Sequence, residues 1–218
     1  MIVNEVLTGI IAIIIAYLLG SIPFAYIFTR LMTGKDIRQL GSGNVGGNNV
    51  YREVGNKAAI PVAIFDVGKG TAAVAIAHWL LDVPMYQSYE PQLFVLLAGI
   101  AAVAGHTWSV YLKFTGGNGL SATIGVLAVL LPWELLIVIA LLLILTAITR
   151  NLVLSVNISL LSVPISAWFL EKEWMYVGFC LVLIVMLVLN FIPTAKAALV
   201  KAGTGKNLVD DLLRKDKR

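Results

Sequence analysis

The loop between the first two strongly apolar segments contains the residue types that bind phosphate. Its residues are Gly41-Ser42-Gly43-Asn44-Val45-Gly46-Gly47-Asn48-Asn49-Val50-Tyr51-Arg52. Glycines let backbone N–H groups converge on a phosphate, Ser and Asn side chains add neutral donors, and a guanidinium can chelate two phosphate oxygens. The loop is therefore a candidate anion site, and an ordinary flexible connector is the alternative. The candidate residues are Gly41, Ser42, Gly43, Asn44, Asn49 and Arg52.

A second glycine-rich loop follows the third apolar segment. It consists of Gly105-His106-Thr107-Trp108 and, a few residues later, Lys113-Phe114-Thr115-Gly116-Gly117-Asn118-Gly119. Two such loops on one face of a membrane can build one pocket, with helix N-termini supplying further N–H donors. His106 suits proton transfer near neutral pH, although a structural histidine at a helix end is the alternative. We expect phosphate binding by Lys113, Gly116, Gly117, Asn118 and Gly119.

An acidic and a basic residue, Asp66 and Lys69, interrupt the second apolar segment. They are three residues apart and therefore share one face of a helix. Ionisable groups inside a membrane are costly unless they are paired or line a polar cavity, so they mark functional regions. We expect this pair to support the site indirectly; a pair that only packs two helices is the alternative.

The composition indicates that most of the chain lies in a lipid bilayer. Hydrophobic residues make up 59% and charged residues 13% of the 218 residues, and the mean hydropathy is +0.91. Such a chain must satisfy its backbone inside lipid, and its long apolar runs lack the alternation of a β-barrel. An all-α integral membrane protein is predicted. The single cysteine, Cys180, lies in an apolar run and excludes an intramolecular disulfide.

Charge patterning predicts the topology. The apolar segments span residues 6–28, 58–81, 92–112, 120–131, 134–149, 151–170 and 174–192. Residues 120–149 could form one tilted helix or two short crossings broken near Pro132. Two crossings place the basic loops and the basic tail on one side, which the positive-inside rule makes the cytoplasm. We therefore predict a seven-helix bundle with its N-terminus outside, its C-terminus inside and both glycine-rich loops cytoplasmic.

One domain is the simplest organisation of the chain. We assign residues 1–203 to a transmembrane domain and residues 204–218 to a charged cytoplasmic tail. The net charge of +4 reflects the cytoplasmic loops and tail, and therefore membrane topology and anionic headgroups. The sequence lacks the interleaved basic and aromatic residues that would predict a nucleic-acid-binding surface. It does not determine the oligomeric state.

Together these motifs resemble the bacterial acyl-phosphate:glycerol-3-phosphate acyltransferases, a family of membrane enzymes. The resemblance is carried by Leu19-Gly20-Ser21-Ile22-Pro23-Phe24, Asp36-Ile37-Arg38, Gly41-Ser42-Gly43-Asn44, Asn49-Val50, Arg52, Asp66, Lys69-Gly70, Gly105-His106 and Gly116-Gly117. It implies transfer of a fatty acyl group from acyl phosphate to glycerol 3-phosphate, giving lysophosphatidate for phospholipid synthesis. It also implies a multi-pass protein of the bacterial plasma membrane whose active site faces the cytoplasm.

The resemblance assigns roles to the candidate residues. Acyl phosphate is already activated, so neither a metal, a cofactor nor a nucleophilic side chain is required. Catalysis would come from positioning and from donors that stabilise negative charge. Ser42, Arg52 and His106 are expected to be catalytic, with His106 orienting a substrate oxygen or exchanging a proton with it. The His-x-x-x-x-Asp pattern of another acyltransferase class is absent, because Tyr111 follows His106 at that spacing.

Three positions depart from the family pattern. The family pattern Lys-Gly-Gly-Lys-Gly corresponds to Thr115-Gly116-Gly117-Asn118-Gly119, without either lysine, and Val153 replaces a serine. A charged donor to phosphate contributes about 1.5–3 kcal/mol, so several losses would weaken a site greatly. A paralogue that is inactive, binds lipid phosphates or uses another acceptor is therefore the alternative. A small transporter is a third possible class. The clustering of the polar loops at one membrane face argues against it, because transporter sites lie near the middle of the bilayer.

Overall fold

The computed structural model describes residues 2–83 and 93–202, with side chains described for residues 5–83, 93–151 and 154–192. Every regular element in these ranges is helical. The helices are α1 (Ile2–Ser21), α2 (Phe24–Thr33), α3 (Gly47–Glu53), α4 (Asn56–Leu80), α5 (Leu93–Thr107), α6 (Leu120–Leu130), α7 (Pro132–Thr149), α8 (Leu152–Leu160), α9 (Ser162–Glu171) and α10 (Trp174–Ala202). Short 3₁₀ turns occur at Ile37–Gln39 and Val110–Leu112. The prediction of an all-α chain is confirmed over the described ranges.

Six stretches in the described residues are long and apolar enough to cross a membrane. They are Glu5–Thr33, Asn56–Leu80, Leu93–Leu112, Pro132–Thr149, Leu154–Glu171 and Trp174–Ile192. The predicted crossing at residues 120–131 corresponds to α6, which at 1.5 Å per residue is about 16 Å long and shorter than a hydrocarbon core of about 30 Å. The seven-helix count and the orientation therefore stay predictions.

Two prolines set helix boundaries, and sequence reasoning anticipated one of them. Residues 120–149 form two helices, because α6 ends at Leu130 and Pro132 occupies the first turn of α7, where its missing N–H costs nothing. The expected single helix over residues 6–28 is instead divided between α1 and α2. Pro23 cannot donate to a preceding carbonyl and its ring clashes with a continuing helix, so α1 ends two residues earlier.

The chain divides into two compact units, residues 1–130 and residues 131–218. In the first unit, glycines allow helix backbones to approach closely, as in many membrane helix pairs. A Cβ on Gly20 of α1 would collide with the Ala102 carbonyl of α5, and one on Gly125 of α6 would collide with the Val67 carbonyl of α4. Helices α1, α4, α5 and α6 therefore pack at short distance around the polar residues described below.

The second unit contains α7, α8, α9 and α10. Hydroxyls of Ser155, Ser159 and Ser166 each donate to the carbonyl four residues earlier, so the helices satisfy their own side chains. Cys180 of α10 is a free thiol and is buried. Glu134 is fully buried, and its carboxylate oxygens have no hydrogen-bond partner among the described residues. The predicted tail, residues 204–218, lies outside the described residues.

Candidate active site

The first glycine-rich loop is a turn that only glycine adopts readily at two positions. Gly41 and Gly43 have φ angles of +54° and +74°, in the left-handed region. A Cβ on Gly41 would also lie 2.5 Å from the side-chain oxygens of Asn49 and Glu53. Larger residues are therefore excluded at Gly41 by both backbone conformation and space.

Asn49 holds this loop from the inside. Its side chain is 4% exposed, and its Oδ1 accepts a hydrogen bond from the Ser42 N–H at 3.1 Å. Its Nδ2 donates to the carbonyls of Leu40 and Asn44, both at 3.0 Å. The amide was predicted to bind phosphate, but its donors and its acceptor are already engaged with the loop backbone. The geometry points to a role in fixing the loop conformation.

The two glycine-rich loops are in direct contact, as the sequence analysis expected. The Val45 N–H donates to the Gly116 carbonyl at 3.3 Å, and the Gly117 N–H donates to the His106 carbonyl at 3.0 Å. Gly117 packs against the His106 ring, because a Cβ there would overlap Nε2 and would lie 2.8 Å from the Val45 carbonyl. His106 Nε2 therefore faces the seam where the two loops meet.

A buried ionisable cluster lies behind His106. Asp66, Lys69 and His106 are 1%, 6% and 5% exposed. Lys69 Nζ lies 2.8 Å from Asp66 Oδ1 and donates to the Ile22 carbonyl at 2.8 Å. His106 Nδ1 lies 3.6 Å from the same carboxylate oxygen, too long for a hydrogen bond but within strong electrostatic reach. The pair predicted to support the site therefore contacts the candidate catalytic histidine.

The break between α1 and α2 explains why Lys69 is placed so firmly. Pro23 interrupts the helix and leaves the Ser21 and Ile22 carbonyls available to side chains from elsewhere. Lys69 takes the Ile22 carbonyl, and the Ser109 hydroxyl donates to the Ser21 carbonyl at 2.5 Å. Sequence reasoning missed both contacts, although a proline inside an apolar segment signals freed carbonyls.

Several donors around the seam are uncommitted within the described chain. The backbone N–H groups of Gly116, Asn118 and Gly119 donate no hydrogen bond there, whereas that of Gly117 is already engaged. These free groups directly precede α6, whose N-terminus adds positive potential. They are suited to bind an anion.

The predicted side-chain donors of both loops are open to a ligand. Ser42 and Lys113 are exposed. Arg52 is also exposed, and no carboxylate in the described part of the chain pairs with it. Asn44 is half-buried, and its backbone N–H lies 3.4 Å from the Ser42 hydroxyl. The described residues contain no group of three or more His, Cys, Asp or Glu able to hold a metal ion.

Comparisons with known proteins agree on one family. The sequence model described as Glycerol-3-phosphate acyltransferase matches residues 10–199. Glycerol-3-phosphate acyltransferase 1 of Dehalococcoides mccartyi is 39% identical, over 92% of this chain and 95% of that protein. Glycerol-3-phosphate acyltransferase 2 of the same organism is 40% identical, over 93% and 92%.

A solved structure gives the same result. The crystal structure of PlsY (YgiH), an integral membrane glycerol 3-phosphate acyltransferase, in its glycerol 3-phosphate form superposes with a TM-score of 0.77 at 26% identity. The alignment covers 88% of this chain and 92% of that one. Its lysophosphatidic acid form has a TM-score of 0.74 and supports the fold. This chain is therefore an integral membrane protein, helical in its described residues, that belongs to the glycerol-3-phosphate acyltransferase family.

Proposed function

We propose that the protein transfers a fatty acyl group from acyl phosphate to glycerol 3-phosphate, giving lysophosphatidate and phosphate. The contact of both glycine-rich loops at His106 Nε2 carries this proposal. Both substrates bear phosphate, so the reaction needs hydrogen-bond donors that bind anions. It also needs space at the seam for the reacting carbonyl and access to lipid for the acyl chain. Membership of the family supports the acceptor.

The chemistry balances without a covalent enzyme intermediate. The acceptor hydroxyl oxygen forms a bond to the acyl carbon, the bond from that carbon to the phosphate oxygen breaks, and the hydroxyl proton goes to a phosphate oxygen or to His106. Ser42 and the free N–H groups beside Gly117 stabilise the charge that develops on the carbonyl and the leaving phosphate. Arg52 binds phosphate at the first loop and Lys113 at the second.

The remaining candidates position these groups. Asn49 keeps the first loop in its left-handed turns. Asp66 faces His106 Nδ1, favours a proton on that nitrogen and so leaves Nε2 as an acceptor toward the seam. Lys69 neutralises the buried carboxylate and anchors it to the break after α1. Gly41, Gly43, Gly116 and Gly119 supply backbone conformation and close approach.

The two missing lysines shift phosphate binding from side chains to backbone. Thr115 and Asn118 carry no charge, while Gly116 and Asn118 offer free N–H groups in the same loop. The exposed Lys113 is the cation closest to them in the chain. We therefore expect activity with glycerol 3-phosphate to survive these replacements.

The donor assay tests this function. Purified protein in detergent is supplied with glycerol 3-phosphate and either palmitoyl phosphate or palmitoyl-coenzyme A, and lysophosphatidate is measured. We expect product from palmitoyl phosphate only. Product from the coenzyme A ester would overturn the donor assignment. No product from a folded sample, with phosphate released when other polyols are added, would establish the alternative of a changed acceptor.

For topology, we propose seven crossings of the bacterial plasma membrane, with the N-terminus outside, the C-terminus inside and the loop seam facing the cytoplasm. The positive-inside distribution supports this arrangement, which requires α6 to cross despite its length. Single cysteines replacing Thr115 and Glu173, in a Cys180→Ala background, decide the point. If α6 crosses, a membrane-impermeant thiol reagent labels them from opposite sides. Labelling from the same side means six crossings.

A further inference from the structure

A second polar recess lies at the end of α2, outside the loop seam. We call it the α2 recess, and its volume is about 530 Å³. The residues that line it are Tyr26, Arg30, Gly34, Lys35, Asp36, Gln39 and Leu40. None of the candidate residues for acyl transfer lines it, although Leu40 directly precedes Gly41. The recess therefore needs an explanation of its own.

The charges of the α2 recess are unbalanced. Asp36 is its one carboxylate, and Arg38 pairs with it at 2.6 Å. That hydrogen-bonded guanidinium holds the pKa of Asp36 below its ordinary value, so the carboxylate stays ionised and committed to Arg38. Arg30 donates to the Gly34 carbonyl at 2.5 Å, and neither Arg30 nor Lys35 forms an ion pair in the described chain. Arg30, Lys35 and Arg38 together oppose the single carboxylate of Asp36, so the recess carries an excess of positive charge.

Neutral donors complete the lining. The Tyr26 hydroxyl and the Gln39 side-chain amide make no hydrogen bond within the described part of the chain. Arg38 lies over the Tyr26 ring at 5.4 Å from its centroid, which keeps that ring in place at the recess wall. Free cations together with free neutral donors suit the oxygens of a phosphate group.

The depth of the α2 recess points to a lipid rather than a dissolved anion. Arg30 lies inside the apolar stretch that ends at Thr33, and Lys35 lies just beyond that end. Between them, Leu31 and Met32 are 75% and 49% exposed, so apolar surface adjoins the cations. A headgroup in the recess would place its acyl chains along this surface, whereas free phosphate would gain nothing from it.

We propose that the α2 recess binds the phosphate of an anionic membrane phospholipid, with Arg30 and Lys35 as its charged ligands and Tyr26 and Gln39 as neutral donors. The recess adjoins the first glycine-rich loop, because Leu40 lines it and the Leu40 carbonyl accepts a hydrogen bond from Asn49. The lipid would therefore occupy a site that adjoins the reaction without taking part in it.

Binding of a fluorescent phosphatidylglycerol in neutral detergent micelles tests this inference. We expect saturable binding that unlabelled phosphatidylglycerol displaces and phosphatidylcholine does not. Inorganic phosphate at the same concentration should displace little. The double variant Arg30→Gln/Lys35→Gln should bind about thirtyfold more weakly, because each cation near a membrane surface contributes about 1 kcal/mol, which corresponds to about fivefold in affinity.

Two further variants keep the test decisive. Arg30 also caps the end of α2, so Lys35→Glu provides a charge reversal at an exposed side chain that makes no hydrogen bond. Lys57→Gln removes an exposed cation of the same unit outside the recess and should bind like the wild type. Unchanged binding by Lys35→Glu, an equal loss in Lys57→Gln, or displacement by equimolar inorganic phosphate would each overturn the proposal.

Discussion

The two units differ in how far their polar side chains reach along the chain. In residues 1–130, polar side chains reach between elements: Lys69 of α4 bonds to the carbonyl of Ile22, and Asn49 ties three segments of its loop together. In residues 131–192, the Ser159 hydroxyl returns to the backbone of its own helix, and the Ser155 hydroxyl bonds to the Asn151 carbonyl and to the Thr149 hydroxyl, a few residues away across the turn between α7 and α8. Inside a membrane both arrangements satisfy hydrogen bonds, but Lys69 joins elements that lie much further apart in the chain. We infer that the first unit carries the chemistry.

Removing the imidazole of His106 should produce the largest loss of activity. A positioned acid or base contributes about 10²- to 10⁴-fold, so His106→Ala should lower kcat/KM for acyl transfer by that order. The matched control is His78→Ala, because His78 lies in the same unit and its one side-chain hydrogen bond to the described residues is with the Val83 carbonyl. Similar losses in both variants would show that the effect is structural.

Leaving Asp66 without its cation should cost stability. Lys69→Met leaves a buried carboxylate unpaired, at about 3–5 kcal/mol, and should sharply lower the thermal midpoint in detergent. Asp66→Asn/Lys69→Met removes both charges and should recover most of that midpoint while activity stays low, because His106 has lost its orienting partner. If the double variant regains activity with stability, the pair serves packing alone.

The exposed guanidinium of Arg52 should matter for affinity more than for folding. Loss of a charged donor to phosphate is worth about 1.5–3 kcal/mol, so Arg52→Ala should raise KM for a phosphate substrate about 10- to 150-fold. Lys57→Ala, another exposed cation four residues after the end of α3, serves as the control. Equal KM values for Arg52→Ala and the wild type would remove Arg52 from the site.

The smallest effect is expected in the second unit. Ser159 is fully buried, but its hydroxyl bonds only to the Ser155 carbonyl of its own helix. Ser159→Ala should cost about 0.6 kcal/mol of stability, a typical value for such bonds in membrane proteins, and leave kcat/KM unchanged. A tenfold fall in kcat/KM would break the contrast between the units and bring α8 into the reaction.

Local patterns in the sequence predicted much of the first unit. Glycine spacing and amide content identified two loops that contact each other, and helical spacing placed Asp66 and Lys69 on one face. The roles within the loop could not be read this way, because whether Asn49 faces a ligand or the loop backbone depends on the turns at Gly41 and Gly43. The break at Pro23 was missed since hydropathy averages over it.

The second unit shows a different limit of sequence reasoning. A break near Pro132 was anticipated from the proline and the adjacent polar residue, although α7 begins at Pro132 and not at residue 134. Burial of Glu134 was not, because a glutamate near the end of an apolar segment is usually assigned to the membrane surface. The charge distribution and the length of α6 point in different directions. The positive-inside rule is satisfied only if α6 crosses the membrane, whereas eleven residues are short for a crossing.

A double-mutant cycle between Gly117 and His106 tests the central claim most directly, namely that the loops form one site at Nε2. Gly117→Ala places a methyl group against that nitrogen, and a displacement of about 1 Å near the reaction can cost about 10²-fold in kcat/KM. Gly178→Ala, where nothing lies within 4 Å, controls for the substitution itself. We predict that Gly117→Ala costs much less in a His106→Ala background, where the approach of its methyl group to the Val45 carbonyl is the clash that remains. Full additivity of the two losses would contradict the account, because each residue would then act without the other.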